Sequence, residues 1–165
     1  MTTMQGTYEF MSSELRALRV PLPYLHSPMD DLYSFYYTVQ WAAAFNDGAS
    51  GRKHDGVEIR HFRDMLVGDR RAEAVGVVQV MVPFLAAARG YGPFFSQSLA
   101  LLAPWWDRLV VLNRDWMYMM IGAEELKDED KEKHLGLNFL IFGYRGVGEY
   151  FKLVYEHRES LQVVA

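Results

Sequence analysis

Apolar residues in this chain recur mostly at helical spacing, and the alternation typical of strands is weak. The clearest segment begins at Ser27, whose hydroxyl can cap a helix, and Pro28 suits the first helical position. Asp30 and Asp31 fall in the first turn, where carboxylates interact favourably with the helix dipole. The pattern predicts a helix over about residues 28–46. Because its apolar residues surround the whole circumference, we expect it to be buried on every side, at the centre of the fold.

The rest of the chain adds predicted helices but no sheet of consequence. Pro83 should end one helix, residues 90–93 read as a turn, and Pro104 should start another helix. A charge run at residues 127–134 is either a solvated face or a helix start. The predicted helices after the first cover residues 57–67, 71–82, 94–102, 104–122 and about 137–161. The predicted fold class is therefore all-α, with six or so helices in a single domain of residues 1–165.

Composition narrows the class of protein. A chain of 165 residues, half of them hydrophobic, can bury a real core. Its net charge of -4 argues mildly against a nucleic-acid partner, which usually selects a basic excess. The absence of cysteine excludes disulfides, zinc-thiolate sites and thiol nucleophiles. Without a secretory signal or an apolar run that could span a bilayer, we expect an intracellular protein with no membrane partner, in the cytoplasm or the nucleus.

Three residues form a weak candidate metal site. His54, Glu58 and His61 are spaced so that a helix would bring them to one face, and two imidazoles with a carboxylate can ligate a metal ion. Gly56 disfavours a helix at His54, and solvated His and Glu residues are common on helix surfaces. The sequence therefore predicts no metal site.

Gly143, Gly146 and Gly148 form a G-x-x-G-x-G run. This order is the reverse of the dinucleotide and kinase Gly-rich patterns, and no strand precedes it. The run therefore favours close helix packing or a kink over a phosphate-binding loop.

The segment at residues 6–14 carries a resemblance to a known family. It resembles the end of a protein-kinase activation segment, for which G-T-x-x-[YF]-M-[AS]-P-E is the common form. Ser13 stands where the A-P-E motif has proline. The matching positions are Gly6, Thr7, Phe10, Met11, Ser12 and Glu14.

A second match follows in the right order and at the right distance. Residues 26–35 resemble the start of the kinase F helix, where an Asp precedes a Ser by three positions, here Asp31 and Ser34. The Asp-Asp-Leu-x-Ser-Phe form, followed by an aromatic-rich helix, is most similar to the fungal-type protein kinase family. This resemblance implies a kinase C-lobe-like helical bundle around the helix at about 28–46, with no N-lobe sheet.

The resemblance also implies roles for individual residues. Gly6 and Thr7 would belong to the substrate-binding loop, and Asp31 would hold the backbone of the catalytic loop by hydrogen bonds. Glu14 would pair with a buried arginine, and three arginines remain open for that role: Arg89, Arg108 and Arg114. The structural motif of the family is implied for Phe10, Met11, Glu14, Asp31 and Ser34.

The catalytic motifs of a kinase are missing from this sequence. A kinase needs a Gly-rich loop, a strand-borne lysine, the H-R-D catalytic loop and the D-F-G motif, and all of them precede A-P-E in chain order. Only five residues precede Gly6, and no displaced copy is found. We therefore expect a truncated, pseudokinase-like C-lobe without catalytic residues, whose family uses ATP and Mg²⁺ but which binds neither as this chain alone.

Two other functions stay open at this level. The first is a helical protein–protein interaction module that offers an exposed lobe-facing surface, with Tyr8, Phe10 and Met11 as members, to a protein partner. The second and weaker one is a metal-binding helical protein that uses the candidate metal site.

Overall fold

The computed structural model describes residues 26–46, 56–68 and 70–161, without the side chains of residues 86–89, 160 and 161. Every regular element in these ranges is a helix, as the sequence predicts. The elements are α1 (Pro28–Phe45), α2 (Val57–Val67), α3 (Arg71–Met81), a 3₁₀ segment (Val82–Tyr91), α4 (Pro93–Ala123), α5 (Asp128–Glu156) and α6 (Arg158–Leu161).

Local chemistry places the start of α1 where the sequence predicts it. The Ser27 hydroxyl accepts a hydrogen bond from the Asp30 backbone N–H at 3.3 Å. The Asp30 carboxylate in turn accepts one from the Ser27 backbone N–H at 2.8 Å, which completes a capping box. Pro28 occupies the first helical turn, and the helix ends at Phe45, followed by Asn46 as its cap. The predicted helix is therefore confirmed.

The expectation that α1 is buried on every side is wrong for one strip. Most of the helix is buried, but a strip along one side remains exposed. These exposed residues are Asp31, Phe35, Thr38, Ala42 and Phe45. Apolar residues around the whole circumference of α1 therefore did not lead to its burial on every side. Phe35 keeps 43% of its surface exposed although its ring touches those of Trp105 and Tyr150.

The two prolines act differently from each other. Pro83 follows α3, and the chain continues as a 3₁₀ segment, so the predicted end of that helix is confirmed. Pro104, predicted to start a helix, instead lies inside the single helix α4. A proline there removes one ladder hydrogen bond. Packing offsets this loss, since the residues on both sides are buried, and Gln79 donates a hydrogen bond to the Ala103 carbonyl at 3.2 Å.

Helix α5 begins earlier than predicted. Its first turn holds Asp128, Glu129 and Asp130, which interact favourably with the positive end of the helix dipole. The charge run at residues 127–134 is therefore a helix start. The helix continues through Gly143, Gly146 and Gly148 without interruption to Glu156.

Three helices form the centre of the molecule. Helix α1 packs against both α4 and α5, which also pack against each other more extensively than any other pair. Trp116, late in α4, contacts Phe142 of α5, and Trp105, earlier in α4, contacts Tyr150, which lies later in α5. The two long helices therefore run antiparallel. Helices α2, α3 and the 3₁₀ segment cover the first half of α4 and the end of α1. Buried apolar side chains from α1 to α5 join in one core.

A glycine sets the distance between α1 and α5. A Cβ atom at Gly146 would overlap the buried Leu32 side chain, whose Cγ would lie only 3.0 Å away. At Gly143 and Gly148 a Cβ would meet nothing within 4 Å. The close-packing interpretation of the glycine run is thus confirmed for Gly146 alone.

We expect Gly146→Ala to lower the free energy of unfolding by about 1–3 kcal/mol, because the added methyl group overpacks the core beside Leu32. Gly148→Ala is the matched control, because it places the same methyl group on an exposed turn of the same helix. It should raise stability by up to about 1 kcal/mol through helix propensity. Urea unfolding of both variants measures the difference, and equal effects would contradict a tight contact at Gly146.

Candidate functional site

The two aspartates at the start of α1 have different environments. Asp30 is buried, and its carboxylate accepts hydrogen bonds from the Ser27 backbone at 2.8 Å and the Ser27 hydroxyl at 3.0 Å. Asp31 has 69% of its side chain exposed, and one oxygen lies 3.1 Å from Nε2 of His26. The capping role therefore belongs to Asp30, while Asp31 presents its carboxylate at the surface.

Ser34, the other matched position in the described residues, lies one turn further along α1. It is half-buried, and its carbonyl accepts a hydrogen bond from the Thr38 hydroxyl at 2.8 Å. The helix thus places Ser34 on the same face as Asp31 within one turn.

The remaining positions of the kinase resemblance lie outside the described residues. This applies to Gly6, Thr7, Phe10, Met11, Ser12 and Glu14, and so to the predicted lobe-facing surface around them.

Two of the three arginines considered as partners of Glu14 have acidic neighbours of their own. Arg108 lies 3.8 Å from Glu149, and Arg114 lies 3.9 Å from Asp115. Which arginine would pair with Glu14 therefore stays open.

The candidate metal residues do not assemble in the part of the chain that the structure describes. Glu58 and His61 are both exposed on α2, and His54 lies outside the described residues. A Cβ atom at Gly90 would overlap the Glu58 carboxylate, so Glu58 lies against the 3₁₀ segment. Burial raises the pKa of the Tyr91 hydroxyl, and the charge of Glu58 raises it further. No group of three His, Asp or Glu residues within these ranges could hold a metal ion.

Sequence reasoning missed a set of polar groups in the core. Tyr36 and Gln40 lie four residues apart on α1 and are fully buried, as is Trp105 of α4. Among the described residues, the Tyr36 hydroxyl, both polar atoms of the Gln40 amide and the Trp105 ring N–H have no hydrogen-bond partner. Such groups are rare in protein interiors because their desolvation is uncompensated. Gln40 stands between the apolar residues Val39 and Trp41, and that position is the signal in the sequence that could have indicated them.

The surroundings of Tyr36 are aromatic. Its ring centroid lies 5.3 Å from that of Trp105 and 5.2 Å from that of Trp106. Burial raises the pKa of the Tyr36 hydroxyl, and the charges of Tyr37 and Asp107 raise it further. Tyr36 therefore stays protonated in the folded protein.

The outward side of α5 is apolar as well as its inward side. The core face carries Phe142, Gly146 and Leu153, which are buried. On the opposite face, at about 3.6 residues per turn, seven apolar side chains are exposed at spacings of one, three and four residues. We call this surface the α5 stripe: Leu137, Leu140, Ile141, Tyr144, Val147, Phe151 and Tyr155.

The α5 stripe was not predicted, although its spacing is visible in the sequence. Apolar residues on two opposite faces of a helix are typical of a helix that is covered on both faces. Here only the core face is covered by described residues. A contiguous exposed apolar surface of this kind marks an interaction site or an aggregation hazard.

Comparisons with known proteins add no relative. No protein-family model matches the chain, and no curated protein or solved structure matches it. Within the described residues, none of the helices combines the length and the apolar character that crossing a membrane requires.

We expect Gln40→Met to raise the free energy of unfolding by about 1–3 kcal/mol, because methionine has nearly the same shape and removes two unpartnered polar atoms. Chemical denaturation measures this change, and Gln79→Met is the matched control. Gln79 donates a hydrogen bond to the Ala103 carbonyl, so its replacement should lower stability. A loss of stability in Gln40→Met would show that the amide has a bound polar partner.

Stability at alkaline pH should depend on Tyr36. Because burial raises its pKa in the folded state, the unfolded chain releases this proton first, near the ordinary value of 10.0. The free energy of unfolding therefore falls as pH rises above 10, by up to about 1.4 kcal/mol per pH unit from this group. Tyr36→Phe should remove that part of the slope. Unfolding curves of both proteins across alkaline pH test this, and identical slopes would contradict it.

Proposed function

We propose that this chain is a kinase-like helical C-lobe of the fungal type, which binds another polypeptide segment at the start of α1 and does not transfer phosphate by itself. The observation that supports this most directly is that Asp30 and Asp31 have different roles. Asp30 is used in the cap, whereas Asp31, the position matched to the F-helix aspartate, has an exposed carboxylate.

An exposed carboxylate at that place suits the implied role. A carboxylate accepts charge-assisted hydrogen bonds from backbone N–H groups, which are stronger than neutral ones. The capping box and the buried start of α1 hold the position of Asp31 while leaving its oxygens accessible. His26, whose Nε2 lies 3.1 Å from the Asp31 carboxylate, is itself exposed, so a docking segment can replace it.

The proposed lack of phosphoryl transfer rests on the sequence. Phosphoryl transfer depends on positioned lysine, aspartate and metal ions around the phosphates. This chain has no Gly-rich loop of the kinase order, no H-R-D and no D-F-G. The ATP and Mg²⁺ of the family would have no binding groups here.

The proposal is tested by adding the part of a kinase that carries its catalytic motifs. The probe is a separately expressed piece of a fungal-type kinase, from its Gly-rich loop through its D-F-G motif. We expect saturable binding to this chain in isothermal titration calorimetry. Asp31→Asn should weaken that binding about tenfold or more, as expected for losing hydrogen bonds to a charged group.

Asp64→Asn serves as the control, because Asp64 is exposed on α2 and lies outside the proposed site. It should bind the kinase piece like the unchanged protein. Equal weakening by both substitutions, or no saturable binding, would refute the proposal. Titration of the chain alone with Mg-ATP should give no binding heat, and micromolar binding there would refute the inactive assignment.

A second candidate function is a helical protein–protein interaction module. The observation that favours it is the α5 stripe, which lies on the face of α5 opposite its core contacts. Exposed apolar surface of this extent is typical of interaction sites. This function does not depend on the kinase resemblance, since the exposed side chains of the stripe define it.

A further inference from the structure

We propose that two copies of this chain associate through the α5 stripe. The inference rests on the second candidate function and names its partner, a second copy of the same chain. Three properties of the stripe lead to it: its area, its spacing and the charge around it.

The exposed area of the α5 stripe is similar to the area that one partner contributes to a stable interface. The seven side chains of the stripe have between 44% and 78% of their surface exposed. Together they offer roughly 800 Å² of mostly apolar surface, about what each partner contributes to a standard protein interface. The largest apolar patch of an ordinary monomer is smaller, about 300–600 Å². A face of this size is costly to leave in water.

The spacing suits another helix of the same kind. Leu137, Tyr144 and Phe151 are seven residues apart, and Leu140 and Val147 repeat at the same interval between them. Apolar residues in this pattern pack as knobs into the holes of a facing helix. In a two-fold dimer each copy presents the same surface, so the pattern of α5 is complemented by itself.

The balanced charge of α5 beside the stripe favours a second copy of the chain over an anionic membrane. Between residues 137 and 156, α5 carries two basic and two acidic residues, so this segment has no net charge. Arg145 forms an ion pair with Asp115 at 3.0 Å, and Glu149 forms one with Arg108 at 3.8 Å. An interfacial helix that binds anionic membranes would carry an excess of lysine and arginine beside its apolar face. A second copy meets no net repulsion here, whereas an anionic membrane gains no attraction.

Sedimentation velocity of the full chain over a wide range of concentrations tests the proposal. We expect a monomer–dimer equilibrium that reaches about twice 19.1 kDa, with a micromolar or tighter dissociation constant. Tyr144→Lys and Phe151→Lys should each weaken association about 30-fold or more, as expected for central interface anchors. Tyr118→Lys is the matched control, because Tyr118 is similarly exposed but lies on α4. It should leave association unchanged.

The absence of cysteine allows a second, independent measurement. Val147→Cys places a single thiol near the middle of the stripe, and Ala72→Cys places one at an exposed position of α3. Under mild oxidation we expect disulfide-linked dimers from Val147→Cys and few from Ala72→Cys. In dilute solution, where the monomer dominates, a maleimide should label both thiols at similar rates.

The outcomes separate this inference from the proposals on which it builds. A monomer at all concentrations with rapid labelling of the Val147→Cys thiol overturns self-association and leaves an open face for a different partner. A monomer with a protected thiol overturns both self-association and the interaction-module function, because the chain itself would cover the stripe. Neither result changes what Asp31→Asn does to binding of the kinase piece, so the lobe proposal is judged separately.

Discussion

The ring contacts that join α1 to the two long helices are the interaction on which the rest of the fold depends. Tyr36 is fully buried against Trp105 and Trp106 of α4. The ring centroid of Tyr150 in α5 lies 4.5 Å from that of the same Trp105. Trp105 of α4 therefore contacts both α1 and α5. Aromatic side chains bury more apolar surface than any others, and their pairs prefer defined geometries. This junction therefore fixes how α1 lies between α4 and α5, and with it the place of Asp31.

The close approach at Gly146 has a consequence for α5. Because Leu32 fills the space that a side chain at Gly146 would occupy, α1 lies directly on the α5 backbone. The core face of α5 carries Phe142, Gly146 and Leu153, which are buried, whereas the seven apolar side chains of the stripe are exposed on the other side. One helix therefore serves both the fold and an exposed surface. The two roles can change independently, since stripe residues contribute little to the core.

Predictions from local chemistry succeeded, and those that required knowledge of neighbours did not. Ser27 and Pro28 placed the start of α1, and the apolar face of residues 57–67 gave α2 with its predicted bounds. Pro104 was wrong as a helix start because flanking buried residues hold the helix together through it. The kinase resemblance stays a prediction, since most of its matched residues lie outside the described part of the chain.

The sequence by itself determined the helical class and the starts of α1 and α2, because caps, prolines and apolar periodicity act over a few residues. Only the tertiary structure decided which of two adjacent aspartates is exposed, that the Gln40 amide is buried without a hydrogen-bond partner in the described residues, and that no described residue covers the α5 stripe. The physical reason is that exposure depends on which elements pack together. A helix with apolar residues on two faces does not encode which of those faces the core will cover.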